Sequence, residues 1–240
     1  MKKIMLGLTL SSLTFSAFAV EDKPIAPNKN YYLQFNVGAA HGLKPKMDFP
    51  TGKNMSDTGL VGVEAGYKFN ENYRVGASFD YLPSFSNTCD TSRVREGFPT
   101  TGTSYIKVKS YVAMLNLYYD MANSTKFTPY ITVGAGVAKN ISGKRLEKNQ
   151  IPSLNISSMT YDDSLVTTNF AYKLGIGSKY TINNSFDLDL RYQFVDLGIF
   201  RTGVAKVFIL DGGYTRNYQA RSAVGMLRAH EVLIGIAYKF

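Results

Sequence analysis

Residues Ala229 to Phe240, AHEVLIGIAYKF, decide the fold of this chain. One parity of the segment is wholly apolar and consists of Val232, Ile234, Ile236, Tyr238 and Phe240. The other parity carries mostly small and charged residues, namely Glu231, Leu233, Gly235, Ala237 and Lys239. Because successive side chains of a β-strand point to opposite faces, this alternation predicts a strand with one apolar face.

The ending of this strand adds a second signal. Phe240 closes the chain, Tyr238 precedes it by two positions and Gly235 by five. This arrangement resembles the terminal signal by which the assembly machinery of Gram-negative bacteria recognises outer-membrane barrels. If the resemblance holds, an even number of similar strands precedes residue 229.

The amino terminus predicts export. A basic start, Met1 to Lys3, leads into an apolar run and then into Ala17-Phe18-Ala19, which fits a secretory cleavage site. The apolar run is roughly a dozen residues, too short for the ~20 of a membrane-spanning helix. We therefore expect residues 1–19 to be a cleaved signal peptide, followed by a short periplasmic leader over residues 20–30.

Composition favours strands in an exported protein. The chain holds 17 Tyr, 15 Phe and 21 Gly without tryptophan, which is typical of β-structure. Its single cysteine, Cys89, excludes an internal disulfide, and leaves open whether the thiol pairs with a second molecule or stays reduced. The net charge of +9 indicates anionic neighbours, such as lipopolysaccharide phosphates or host polyanions, whereas export argues against nucleic acid.

Seven further segments show the alternation of the last strand, at residues 31–40, 61–69, 73–81, 110–119, 129–137, 170–180 and 186–194. Their connections are alternately long and short. The sequence thus predicts an all-β fold, an eight-stranded antiparallel transmembrane β-barrel over residues 31–240, with short periplasmic turns and four long extracellular loops. Aromatic residues at strand ends predict two interfacial girdles. The structural alternative is a soluble lipocalin-like barrel, which would turn its large apolar residues inward.

The second parity then faces the lumen and carries charges of both signs. An eight-stranded barrel is filled by its own side chains, so these charges must pair. Lys179, Asp187, Asp189 and Lys239 are expected to cluster near the periplasmic end, with Arg191 and Glu64 nearer mid-height. Such a network is either a plug or an ion path. The predicted set is Glu64, Lys68, Arg74, Asp80, Lys173, Lys179, Asp187, Asp189, Arg191, Glu231 and Lys239.

Catalytic signals are weak, and we expect neither an enzyme nor a metal or cofactor site. His41 and His230 lack metal-ligand spacing, and Cys89 has no nearby histidine. One alternative is a lipid A-modifying enzyme with a His–Ser pair on its outer wall. His230 has the outward parity, but Val232 stands where that chemistry needs serine, so His230 is predicted to be a girdle residue.

Three segments and the chain terminus carry a family resemblance, namely Phe127–Gly136, Phe170–Gly177, Leu188–Tyr192 and Phe240. Their sequences resemble those of the opacity-type and outer-membrane-protein-A-like eight-stranded surface antigens. The small rickettsial adhesins are the most similar type. The resemblance implies an outer-membrane location, assembly by the barrel-assembly machinery and adhesion to host-cell or serum components through the outer loops. A narrow pore or a purely structural barrel is the alternative function, and we expect a monomer.

The fourth long loop, residues 198–228, is the predicted ligand-binding region. Within it, Val207 to Leu210 followed by Asp211-Gly212-Gly213 predicts a hairpin. The hypothesis is that its cations bind anionic host glycans or an acidic host protein, and the alternative is that they bind the cell's own lipopolysaccharide. Asp211 is the single acidic residue of the loop. The cations are Arg201, Lys206, Arg216, Arg221 and Arg228.

Overall fold

The structure is a computed structural model that describes residues 29–45, 55–95, 98–211, 214–220 and 222–240. The predicted signal peptide and the leader up to residue 28 lie outside these ranges. No helix within the described ranges is long and apolar enough to cross a membrane.

The regular secondary structure of the described residues consists of β-strands and one short 3-10 helix at Pro152–Leu154. The strands are β1 (Tyr31–Gly42), β2 (Asp57–Lys68), β3 (Tyr73–Asp90), β4 (Arg93–Arg95), β5 (Phe98–Asp120), β6 (Phe127–Ser142), β7 (Leu146–Ile151), β8 (Ile156–Asp162), β9 (Leu165–Thr181), β10 (Phe186–Arg201), β11 (Ala205–Asp211), β12 (Tyr214–Ala220) and β13 (Val224–Lys239).

Antiparallel pairing closes these strands into a ring. β1 pairs with β2, β2 with β3, β3 with β5 and β5 with β6, and the ring continues through β9, β10 and β13 back to β1. At the closure, Phe35 lies opposite Ile236, and Tyr31 and Phe240 exchange backbone hydrogen bonds of 3.3 and 3.0 Å. The all-β antiparallel barrel predicted from the sequence is confirmed.

The apolar parity of each ring strand faces outward. In β13, Val232 and Ile234 are 51% and 53% exposed, whereas Glu231 and Leu233 are 2% and 1% exposed. A soluble barrel would bury the first pair and expose the glutamate. The wall therefore suits a hydrocarbon environment, and the lipocalin-like alternative is wrong.

Aromatic rings border this wall at two heights. Near the rim with the short connections, neighbouring rings lie 4.8 to 6.1 Å apart and include Tyr31, Tyr73, Tyr119, Phe127, Tyr180, Phe186, Tyr238 and Phe240. Higher up, Tyr81 stacks on Tyr111 at 4.9 Å, and Phe194 lies 5.5 Å from the His230 ring. From Tyr119 to Tyr111 the rise is about 27 Å along β5, or about 21 Å once the usual strand tilt is included. This separation suits the apolar band of an outer-membrane barrel. We call these two rims lower and upper.

Several segments predicted as loops are strands. β3 and β5 occupy most of residues 83–104, β7 and β8 lie within 139–168, and β11 and β12 lie within 198–228. The reason is that hydrogen-bonded strands continue past the lipid-facing wall, where both faces of a strand accept polar residues. The apolar alternation that marks a strand in the sequence is absent there, although the backbone pairing persists.

Candidate functional site

The lower lumen is filled by a polar network centred on Glu64. Its buried carboxylate accepts hydrogen bonds from Tyr32 Oη at 2.7 Å and from Tyr118 Oη at 2.6 Å. Asn116 Nδ2 donates a third bond to it at 2.9 Å. Arg191 Nη1 donates to Tyr118 Oη at 2.7 Å and lies 3.8 Å from the Glu64 carboxylate. Donors and a counter-charge thus compensate a carboxylate that would be costly to bury alone.

Asp120, the last residue of β5, forms a second centre nearer the lower rim. Its fully buried carboxylate lies 3.2 Å from Arg74 Nε and 2.5 Å from Lys179 Nζ. Asp120 is not among the charges predicted from the sequence, because the alternation of its strand ends at Tyr119 beside a polar turn. The signal that could have found it is its parity, which it shares with the lumenal Tyr118.

The predicted lumenal charges fall into a half-buried group and a buried group. Three are half-buried near the lower rim: Lys68, Lys179 and Lys239. The others are buried: Glu64, Arg74, Asp80, Lys173, Asp187, Asp189, Arg191 and Glu231.

The expected cluster near the lower rim is divided. Lys239 Nζ lies 2.6 Å from Asp187 Oδ1. Asp189 instead accepts a hydrogen bond from Tyr130 Oη at 2.7 Å, and Lys179 reaches Asp120. The predicted cluster is divided because Tyr130 donates a hydrogen bond to Asp189. In addition, Asp120, which is outside the predicted set, attracts Lys179.

Mid-height charges lie between these networks and the upper lumen. Gln193 Nε2 donates to Glu231 Oε2 at 2.5 Å. Lys173 is buried within electrostatic range of Asp80, Glu64 and Glu231. The charges of the lumen therefore interact across several strands.

The upper lumen contains a buried apolar cluster, which the sequence did not predict. Leu82 and Phe85 of β3 meet Leu197 and Phe200 of β10 in one buried cluster, together with Leu227 of β13. Each of these side chains is at most 1% exposed. A charged lower layer and an apolar upper cluster thus occupy the described lumen.

A second candidate site is a sheet above the upper rim. The upper part of β5 pairs with β7, β7 with β8, β8 with β11 and β11 with β12. We call these strands the upper sheet. Since β5 runs unbroken from the barrel into it, side chains that share the parity of Tyr111 form the outward face of the upper sheet.

The outward face of the upper sheet is aromatic and basic. Tyr105, Tyr161 and Phe208 are 38%, 41% and 39% exposed. Tyr161 and Phe208 form an edge-to-face pair with ring centroids 6.0 Å apart. The exposed Lys148 and Lys206 share this face, because Lys148 is opposite Met159 and Lys206 is opposite Tyr161 in the pairing. Exposed rings among cations are typical of binding surfaces.

The cations predicted in the fourth loop are not gathered into one surface. Arg201 ends β10 and is exposed, while Arg228 lies half-buried in β13 opposite Asp196. Lys206 Nζ lies 3.4 Å from Asp163 Oδ2. Arg216 contributes its backbone to β12, opposite Ile209.

Two parts of that loop, Arg221 and residues 212–213, lie outside the described residues. The predicted hairpin is present as β11 and β12. The predicted surface is divided because β10 and β13 extend into the loop segment and carry their arginines with them.

Each histidine has one polar side-chain partner among the described residues. His41 Nδ1 lies 2.5 Å from Asp57 Oδ1, and Tyr192 Oη lies 2.9 Å from His230 Nδ1. Within the described ranges there is no group of three or more potential metal ligands. Cys89 is buried in β3, and its Sγ donates to the Asp90 carbonyl at 3.4 Å.

The residues of the predicted assembly signal lie on β13 and just after it. Tyr238 and Phe240 belong to the lower aromatic border, with ring centroids 6.0 Å apart. Gly235 faces the lumen, where an added Cβ would collide with the Asn36 side chain. Phe240 also bonds the backbone of β1, so the chain end is part of the barrel closure.

Comparison with known proteins agrees with this geometry. A family model described as "Outer membrane protein beta-barrel domain" matches residues 6–240. The chain belongs to this family. The location in the outer membrane and the resemblance to outer-membrane surface antigens are confirmed.

Two curated relatives are similar to this chain. Outer membrane protein PagN of Salmonella typhimurium is 29% identical over 185 residues, which cover 75% of this chain and 72% of PagN. A "Putative adhesin" of Rickettsia bellii is 28% identical over 236 residues, covering 95% of this chain and 99% of the relative. These relatives are named for location or adhesion and not for an enzymatic activity.

Among solved structures, Neisserial surface protein A aligns with a TM-score of 0.42 and 16% identity, covering 88% of this chain and 97% of that chain.

Proposed function

We propose that this protein is an adhesin that binds anionic host-surface components through the outward face of the upper sheet. The observation that carries the proposal is the set of three exposed rings and two exposed lysines on that face. Rings supply contact area at low entropic cost, and lysines attract anionic groups over longer distances. The adhesin name of the Rickettsia relative supports this function.

The proposal includes an orientation and a maturation path. Eight paired strands span the membrane, the short turns face the periplasm and the four longer connections face outward. Residues 1–19 are removed as a signal peptide, and residues 20–30 form a periplasmic leader. The barrel-assembly machinery recognises Gly235, Tyr238 and Phe240, and the folded barrel is a monomer in contact with lipid and lipopolysaccharide.

The hairpin of β11 and β12 belongs to the proposed binding region. Lys206 is the cation of this hairpin whose exposure supports ligand contact, and Asp163 beside it limits the local positive charge. Arg216 and Arg221 stay candidates for the same ligand, whereas Arg201 and Arg228 are anchored in barrel strands. The filled lumen favours this binding role over a narrow pore.

Cells displaying the protein provide the test. We expect Lys148→Gln/Lys206→Gln to reduce retention on immobilised heparin about tenfold at low salt, with the difference shrinking as salt screens the charges. Tyr161→Ser/Phe208→Ser should reduce adherence to host-cell monolayers. The matched control, Lys44→Gln/Arg201→Gln, removes the same charge from exposed positions outside the upper sheet.

Unchanged adherence in both variants of the upper sheet, at equal surface display, would refute its role in adhesion. An equal loss in the control variant would show that net charge alone matters. Loss of host-cell adherence with unchanged heparin retention would indicate that the ligand is a host protein and not an anionic glycan.

A further inference from the structure

Three lysines lie on the outer wall directly above the upper aromatic border. Lys139 of β6 is opposite Tyr111 of β5, which stacks on Tyr81. Lys109 and Lys107 precede Tyr111 in β5 and occupy the next two outward positions above it. Successive outward positions of a strand are about 6.8 Å apart, so the three side chains can converge on one small anion.

These lysines lack acidic neighbours. In the part of the chain that the structure describes, no carboxylate lies within 4.0 Å of any of the three ammonium groups, although many other cations of the barrel are paired. Lys107 lies over the Tyr105 ring, with Nζ 5.7 Å from its centroid. Adjacent like charges on a sheet destabilise it unless an anion neutralises them.

Hydroxyl groups border the same patch. Ser86 of β3 is the pairing partner of Lys107, and its Oγ lies 2.9 Å from Ser56 Oγ. The half-buried Ser84 is the preceding outward residue on β3. Ammonium and hydroxyl groups together form the donor set that binds phosphate oxygens.

The height of the patch selects the anion. Aromatic residues mark the boundary between hydrocarbon and headgroups, so side chains one or two positions above Tyr111 reach the headgroup layer. The opposite wall differs at this height, because His41 and His230 are cross-strand neighbours there and His41 contacts Asp57. At this height the described β5–β6 wall thus carries three lysines without a carboxylate within 4.0 Å, whereas His41 on the opposite wall is paired with Asp57.

We propose that Lys107, Lys109 and Lys139 bind a phosphate group of lipid A in the outer leaflet. The site anchors one lipopolysaccharide molecule against the β5–β6 wall. This proposal rests on the orientation given under the proposed function, but it does not depend on adhesion, since the aromatic face of the upper sheet begins higher, at Tyr105.

The test uses the full mature chain, folded in nanodiscs of neutral phosphatidylcholine, and lipid A with or without its phosphates. We expect Lys109→Gln/Lys139→Gln to weaken binding of phosphorylated lipid A roughly 30-fold, from the contribution of two lysines at a membrane surface. Dephosphorylated lipid A should bind the wild type and this variant equally. Lys109→Arg/Lys139→Arg keeps both charges and should retain binding, and native mass spectrometry can read out all complexes.

Lys148→Gln/Lys206→Gln is the matched control, because it removes two lysines from the upper sheet and should leave lipid A binding unchanged. The proposal is overturned if the Lys109/Lys139 variant binds phosphorylated lipid A like the wild type. It is equally overturned if the control loses as much affinity, or if the wild type does not distinguish phosphorylated from dephosphorylated lipid A. Host-cell adherence of the control variant tests the adhesin proposal separately, so the two can fail independently.

Discussion

Replacing Asp120 by asparagine is expected to lower the free energy of unfolding by about 3–5 kcal/mol, the usual cost of breaking a buried ion pair from one side. The carboxylate is fully buried and contacts Arg74 Nε at 3.2 Å and Lys179 Nζ at 2.5 Å. Asparagine keeps the shape but removes the charge. Arg74, whose side chain is 3% exposed, then has no route to water. The Lys179 side chain is 14% exposed and is therefore hydrated only in part. The expected loss of unfolding free energy thus lies within the range of about 3–5 kcal/mol.

The chain lacks tryptophan, so unfolding in urea is best followed by far-UV circular dichroism and by the mobility shift of the unheated barrel. Asp163→Asn is the matched control, because it removes one carboxylate from the Lys206 pair, where both side chains are more than half exposed. Screening by water limits that loss to about 0–1 kcal/mol.

The reasoning fails if Asp120→Asn and Asp163→Asn destabilise the barrel equally. A further check is Lys179→Met in the Asp120→Asn background. Removing one of the two unpaired cations should recover part of the lost stability, and a further loss would contradict the assignment of the cost to buried charge.

Three more predictions follow from the same structure. The purified barrel should show no discrete openings in planar bilayers, because side chains fill the described lumen; ion-selective steps would contradict the plug. Phe240→Ala should reduce the heat-modifiable, folded barrel in outer-membrane fractions several-fold. Phe69→Ala removes a ring 5.1 Å from the Tyr67 ring and of similar exposure, 59% against 57%. It should have a smaller effect, and equal losses would argue against a terminal signal. Gly136→Ala should cost about 1–3 kcal/mol in urea titrations, because its Cβ would meet the backbone of Ala113. Gly59→Ala, with open space around its Cβ, is the control, and indistinguishable urea midpoints would refute the steric argument.

Much of the lumen followed from parity, but its contacts did not. Parity assigned Glu64 and Arg191 to the interior, because lipid-facing and lumenal positions alternate along every strand. It could not assign Asp120, which borders a turn. Nor could it reveal that Tyr32 donates to Glu64, because a tyrosine on the lumenal parity reads as a weak break in the pattern.

The sequence by itself determined the alternation of the strands, and with the export signal and the terminal Phe240 it predicted an outer-membrane barrel, since these are local features of the chain. It left open whether the apolar parity faced lipid or the interior of a soluble barrel. Only the tertiary structure decided that Leu82 and Phe200 close the upper lumen, and that Tyr161 and Phe208 share an exposed face. It also decided that Lys109 and Lys139 lie together on one wall. The physical reason is that these groupings depend on strand register and on pairing above the membrane. There, backbone hydrogen bonds hold the sheet, and the apolar pattern that would mark it in the sequence is not required.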